Sequence, residues 1–481
     1  MPSLTRTAFT QDRSFLFRRN QRKNSGLSKK VMRFAQNCCI LIHRCERRLL
    51  GEGKMGSTSS MSRENKKKQL KRRIVPSGGS YEEDGRKAVH NARLRAVRKR
   101  LLIVLILVIL SVITALALYQ YDRYHSFTEY QVIWEKSLLS EAQESAVKGE
   151  GSFCEYRDFE DGVLKYTKDG ASYIDSQGRV VWVLSYEMKS PVVSVNGDYA
   201  AIGDQQGNRI YICDKTGCIG QAATLLPILQ VSVSAHGVVA ALQEDANASY
   251  IYYYERDGRA MEIWIKSLLS GDGYPVAMSL SPGGTQLLTS YMYLDQGMIK
   301  CKIVFYNFSL GKNDPNRVVG IFFPADLADA MAGSVHFLDD SHAVIFTDKG
   351  LQFFSTRVET SPESVKQVLI EENIRSISST QEYVGVVTDN MEGENPYSLK
   401  IYKNDGTPVF NKTFNFQYTG FDIDGDLVLL YNESACVAYN MTGTEKFNGT
   451  FDFTVSKVSA GRYPGTLLVT GPQMIKEIKL R

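Results

Sequence analysis

The chain has 481 residues, 43% of them hydrophobic and 23% charged, with 13 prolines and 26 tyrosines. That composition excludes a collagenous, a low-complexity or a small disulfide-framework protein, and the length admits several domains or one large domain built from repeats. The net charge of +5 hides a division: residues 1–100 carry 27 Lys and Arg against 7 Asp and Glu, whereas the remainder carries 30 against 45, so a basic tail is joined to an acidic body.

Residues 1–54 are basic, show no clean periodicity and hold Cys38, Cys39 and Cys45. Gly51, Glu52, Gly53 and Lys54 would be encoded by purine-rich codons resembling a bacterial ribosome-binding site just before Met55. Translation is therefore expected to begin at Met55 or Met61, leaving 1–54 as an over-extended or disordered N-terminus. Peptides from residues 13–47 in a digest of native protein would refute this. Residues 55–100 read as a disordered basic cytoplasmic tail. Its KKKQLKRR stretch, 66–73, has none of the interleaved aromatic residues on which bases stack, so it reads as a topology signal and no nucleic-acid partner is expected.

Residues 101–118 read LLIVLILVILSVITALAL, without one ionisable side chain. At ~1.5 Å per residue they cover ~27 Å as a helix, close to the hydrocarbon thickness of a bilayer. The hydroxyls of Ser111 and Thr114 can return to helix carbonyls. Tyr119, Tyr121 and Tyr124 follow where an interfacial aromatic belt belongs. The expected transmembrane helix is 101–121, with the lipid bilayer as its partner. Arg93, Arg95, Arg98, Lys99 and Arg100 crowd its N-terminal side, which keeps the N-terminus cytoplasmic and sends the C-terminal body across a cell membrane. Residues 122–129 read as a stalk.

From about Phe153 the pattern changes to short β-branched and aromatic runs punctuated by Gly, Asn and Asp turns. One hairpin form recurs as VVSVNGDYAAIG from Val192, VSVSAHGVVAAL from Val231, AMSLSPGGTQLLTS from Ala277 and FDIDGDLVLLY from Phe421. A second follows it, as in YIDSQGRVVWV, YYYERDGRAMEIWI and KIYKNDGTPVFN. Two hairpins make a four-stranded unit, and units begin near 153, 192, 231, 276, 334, 374, 419 and 456. An all-β period of this size predicts a β-propeller over 130–481 with eight blades, or seven if one unit is mis-parsed. The last unit is one strand short. The strand-like YQVIWEKS at 130–137 is expected to supply that strand and close the ring, removing an exposed edge. Units four and five are read as carrying insertions at 311–324 and 355–368.

The strand-turn-strand-Trp pattern, with Trp182 in GRVVWV and Trp264 in AMEIWI, resembles a degenerate quinoprotein-like or WD40-like repeat. The arrangement over residues 61–481 resembles an uncharacterised domain-of-unknown-function family of single-pass membrane proteins of Gram-positive bacteria. The resemblance implies a basic tail, one membrane helix and an extracytoplasmic propeller, and it brings no activity, cofactor or site residues.

The residues show no catalytic constellation, and no cofactor is expected. No G-x-S-x-G elbow is present. Asp422, Asp424 and Asp426 in DIDGDL are weak metal candidates, because Gly425 precedes the third acidic position where a Ca²⁺ loop wants it after, and ordinary turn chemistry accounts for them equally. Cys213 and Cys218 fall on opposite arms of one predicted hairpin, where a disulfide is conceivable outside the cytoplasm. Cys154, Cys301 and Cys436 read as small buried apolar residues. Among YIYYY at 250–254, one side of the strand is expected in the core. The expected function is a membrane-anchored binding or scaffold module for a protein or cell-envelope partner. The alternatives are a ligand-sensing receptor and an enzyme using the propeller channel.

Overall fold

A computed structural model of the protein describes residues 101–115, 125–138, 153–309, 317–323 and 330–481. The chain divides into two compact units, Met1–Arg123 and Tyr124–Arg481. In the first, a helix covers 101–115. Its Leu, Ile and Val side chains through Ile113 are exposed on every face. Ser111 Oγ donates to the Val108 carbonyl at 2.8 Å and Thr114 Oγ1 to the Leu110 carbonyl at 2.8 Å, so neither hydroxyl is left without a partner. Residues 116–121 of the expected span lie outside the described residues, as do both segments of the expected tail, 1–54 and 55–100. Among the described residues no helix is long and apolar enough to cross a membrane.

The described residues of the second unit form thirty-two strands, β1–β32 in chain order, arranged as eight four-stranded antiparallel sheets. Seven sheets are consecutive in sequence, over 154–185, 191–223, 228–268, 274–322, 332–369, 374–414 and 420–450. Each begins within three residues of its expected start. The eighth joins β1 (Tyr130–Ser137) to β32 (Met474–Leu480), then β31 (Thr466–Thr470) and β30 (Lys457–Ala460). The N-terminal strand thus closes the ring as its sequence predicts.

Each blade hides both faces, which is why its middle strands are almost continuously apolar. In β11 (Val239–Glu244), Val239 and Ala241 pack with Ile210 and Ile212 of blade 2, while Ala240 and Leu242 pack with Met278 and Leu287 of blade 4. In β12 (Ala248–Tyr254), Tyr254 joins the first of these cores and Tyr253 the second. The period-2 alternation of a strand sends successive side chains to different neighbours, and each fully buried large side chain contributes roughly 1.5–3 kcal/mol.

In blades 1, 2, 3, 6 and 7 the outer hairpins turn on Asp or Asn. Asp175 Oδ1 accepts the backbone N–H groups of Gln177 and Arg179, both at 2.9 Å, and Gly178 between them has φ 71°, which only glycine adopts without cost.

The expected insertions at 311–324 and 355–368 overlap the fourth strands of blades 4 and 5, β17 (Val318–Phe322) and β21 (Glu363–Leu369). Being outermost, β21 is exposed over its first four residues, so its sequence, ESVKQVL, lacks the apolar alternation that marks a strand.

Residues expected as a stalk are described from His125 onward, and this part lies against blade 7. The Phe127 N–H donates to the Lys446 carbonyl at 3.0 Å, and Asn448 N–H to the Phe127 carbonyl at 3.0 Å.

Candidate functional site

The first strands of the blades surround the central axis: β2 (Cys154–Phe159), β6 (Pro191–Asn196), β10 (Ile228–Val233), β14 (Tyr274–Leu280), β18 (Ala332–Asp339), β22 (Ile374–Ser379), β26 (Gly420–Asp424) and β30. An innermost strand has one edge with no neighbouring strand, and its N–H groups there need partners. A serine on the preceding blade supplies them. Ser194 Oγ accepts the Val233 N–H at 3.1 Å, Ser232 the Leu280 N–H at 2.9 Å, Ser279 the Phe337 N–H at 2.9 Å and Ser378 the Ile423 N–H at 3.0 Å. Between blades 7 and 8 the acceptor is Asp424 Oδ2, which takes the Ala460 N–H at 2.7 Å.

At the serine's ladder position three blades carry something else: Arg157, His336 and Asp422. His336 Nδ1 lies 2.6 Å from Ser379 Oγ on blade 6, and Nε2 lies 3.0 Å from Ser334 Oγ. Burial lowers its imidazole to about 4, so the ring is neutral at physiological pH.

Blades 7, 8 and 1 form a charged sector. Lys457, buried at the start of β30, places Nζ 3.0 Å from Asp422 Oδ2 on blade 7 and 3.0 Å from Asp158 Oδ2 on blade 1. Burial acts to lower this ammonium, but the two carboxylates outweigh it and hold its pKa above that of an ordinary lysine. Tyr431 OH donates to Asp422 Oδ2 at 2.8 Å, and burial pushes this phenol up. Ser459 Oγ donates to Asp158 Oδ1, completing the junction of blades 8 and 1.

The metal candidates are therefore separated by role. Asp422 and Asp424 share one face of β26 and are engaged by blade 8, whereas Asp426 is exposed in the turn that follows. Among the described residues no group of three or more His, Cys, Asp or Glu side chains is arranged to hold a metal ion. Cys213 and Cys218 are direct partners in the β8–β9 ladder, β8 being Arg209–Asp214 and β9 Gly217–Ala223, and both are free thiols. Cys436 is buried and its thiol pushed up by burial. A shallow depression is lined by Phe453, Thr454, Pro472, Gln473 and Met474.

The second notable surface is a hairpin. β15 (Gln286–Asp295) and β16 (Met298–Asn307) are ten residues each, and 293–302 extend past both flanking strands. Gln296 and Gly297 have φ 49° and 81°, the pair of positive values that a type I′ turn demands. At the tip Leu294 is 72% exposed, Ile299 opposite it 64% and Met298 54%. Phe323, also exposed, meets Tyr293 edge-on with ring centroids 6.1 Å apart. Strand direction puts this tip, a turn between second and third strands, on the face of the connections between blades. The chain enters β1 from the opposite face, at 125–129.

Eight blades, closed by the strand that begins the unit and latched around a polar axis, make this an eight-bladed β-propeller. The chain belongs to the family of unknown function DUF5711, whose model matches residues 123–480. No curated protein matches the sequence. Among solved structures it is similar to the Pan2 WD40 domain of Neurospora crassa, at 10% identity, 60% of this chain and 87% of that one, with a TM-score of 0.38. It is also similar to Raptor of Chaetomium thermophilum, at 11% identity, 75% of this chain and 29% of that one, with a TM-score of 0.41.

Sequence reasoning missed the serine ring and the charged sector. The signal for the ring was present, because a single serine interrupts the apolar first strand in VVSVN, QVSV, AMSL and KVSA.

Proposed function

We propose that this protein is a membrane-anchored binding or scaffold module of the cell envelope, with its propeller outside the cytoplasm and engaging a protein partner. Residues 101–121 are the anchor in this reading. Its support is the run of apolar residues exposed all around the 101–115 helix, with five basic side chains in the eight residues before it, which retain the N-terminus in the cytoplasm.

The observation that carries the binding role is the blade 4 hairpin. Leu294, Met298 and Ile299 stand in solvent on an extension that closing the ring does not require. Exposed apolar clusters of this kind mark interaction sites. The tip lies on the face opposite the one from which residues 125–129 enter β1.

The test is crosslinking in cells followed by purification of the full chain, with Leu294→Glu and Ile299→Glu combined as the comparison. A partner retained by wild type and lost by the double variant supports this reading. A partner set unchanged by the double variant would overturn it.

A further inference from the structure

The seam between blades 1 and 2 is built differently from the others. Where blade 2 has Ser194, blade 1 has Arg157, and among the described residues no inner-strand latch runs from Arg157 to blade 2. The seam is held further out. Trp182, on β5 (Val180–Ser185), donates from Nε1 to the Asp214 carbonyl at 3.0 Å. Asp214 belongs to the hairpin that joins β8 to β9, and its neighbour Cys213 is buried in the core shared by the two blades, with Trp182 and Tyr211.

Cys218 faces Cys213 from the other arm of that hairpin. Antiparallel partners have Cα atoms about 4.5–5.5 Å apart, within the roughly 4.4–6.8 Å that a disulfide spans. The two thiols are unequal. Cys218 is exposed, with Sγ 3.3 Å from the Gly220 carbonyl oxygen. The hydrogen bond from the Cys213 thiol outweighs burial and brings Cys218 down to about 7. Cys213 is raised, first by that same bond and then by burial. An accessible thiolate beside a shielded thiol is the division of labour that dithiol oxidation uses.

We infer that Cys213 and Cys218 form a dithiol–disulfide site that accepts oxidation from a donor disulfide and staples the hairpin holding the blade 1–blade 2 seam. The Cys218 thiolate attacks one sulfur of the donor, forming a mixed disulfide and releasing one donor thiolate. Cys213 Sγ gives its proton to that thiolate and attacks Cys218 Sγ. The Cys213–Cys218 bond forms and the second donor thiolate leaves. The pair loses two electrons, and the donor disulfide is reduced to two thiols. This inference does not depend on what the propeller binds.

The test uses the reduced full chain incubated with glutathione disulfide, quenched in acid, alkylated and cleaved after Lys215, which separates the two cysteines unless a disulfide links them. The expected product is a linked pair of peptides containing Cys213 and Cys218, formed at a rate that rises as pH passes through about 7, the value set for Cys218. Amide exchange over 182–186 and 213–220 slows on oxidation. A stable glutathione adduct on Cys218 with Cys213 still alkylated would overturn the dithiol site, and unchanged exchange in a cleanly linked product would overturn the stapling role. Cys213→Ser is expected to stop at the glutathione adduct. Release of that adduct without added thiol would also contradict the mechanism.

Discussion

Ser232 on blade 3 accepts the backbone N–H of Leu280 on blade 4, at 2.9 Å, and is itself buried. The bond crosses between sheets, so it ties the inner edge of one blade to the flank of the previous one. Replacing Ser232 with alanine removes the acceptor and leaves the Leu280 N–H unpaired, at a cost of about 1–2 kcal/mol. Ser194→Ala and Ser279→Ala act at other seams, and combining the three gives near-additive losses. Urea unfolding of the single and combined variants measures this. A combined loss no greater than one single variant's would show that the seams do not carry separate latches.

Closure depends on Trp134. Its indole Nε1 donates to Glu477 Oε2 at 2.8 Å, and its ring lies over Gly178 of blade 1. Glu477 is 3% exposed and also accepts from Thr466 Oγ1. Trp134→Phe keeps much of the packing and deletes one donor to a buried carboxylate, costing about 1–3 kcal/mol. Trp134→Ala also opens the blade 8–blade 1 core and loses about 3–5 kcal/mol. Thermal unfolding should rank wild type above Phe above Ala.

His336 makes stability depend on pH in a defined direction. Its folded value of about 4 lies below the ordinary 6.5. Below 6.5 the unfolded chain binds a proton that the folded chain refuses, so stability is whole above that value and falls as pH drops toward 4. The shift corresponds to about 3 kcal/mol. Comparing wild type with His336→Gln at pH 7, 5.5 and 4 isolates this contribution from that of the carboxylates. The variant should lose less stability over that interval.

Lys457 works in the opposite sense. Its folded pKa is raised above 10.5, so its contribution is complete below that pH and disappears as pH rises through the folded value. Lys457→Met leaves Asp158 and Asp422 facing each other. Both carboxylates retain contact with water, which limits the cost to about 1–3 kcal/mol. The double variant Lys457→Met, Asp422→Asn should recover part of that loss. Equal stability of the single and double variants would contradict the pairing.

Much of the propeller was legible because each blade repeats the same two hairpins, and because a last unit lacking one strand implies a donor strand elsewhere. YQVIWEKS at 130–137 met that need. The outer strand ESVKQVL was not legible, since an outermost strand wet on most of its length carries no alternation. The Asp422, Asp424 and Asp426 run was visible but read as a local loop. Its partners, Lys457 and Ala460, sit on the next blade, and Asp158 reaches the same lysine from the far end of the chain. Only the closed ring brings these three blades together. The Cys213–Cys218 pairing was visible in spacing, and the strand register places them opposite each other.

We propose that the hairpin face of the propeller receives a protein partner. The most direct measurement is photo-crosslinking in living cells from a single reactive residue placed at Leu294, compared with the same residue at Lys215, an exposed turn position on the opposite face. A discrete protein adduct is expected from position 294 and none from 215. Adducts from 215 alone, or the same adducts from both, would contradict it.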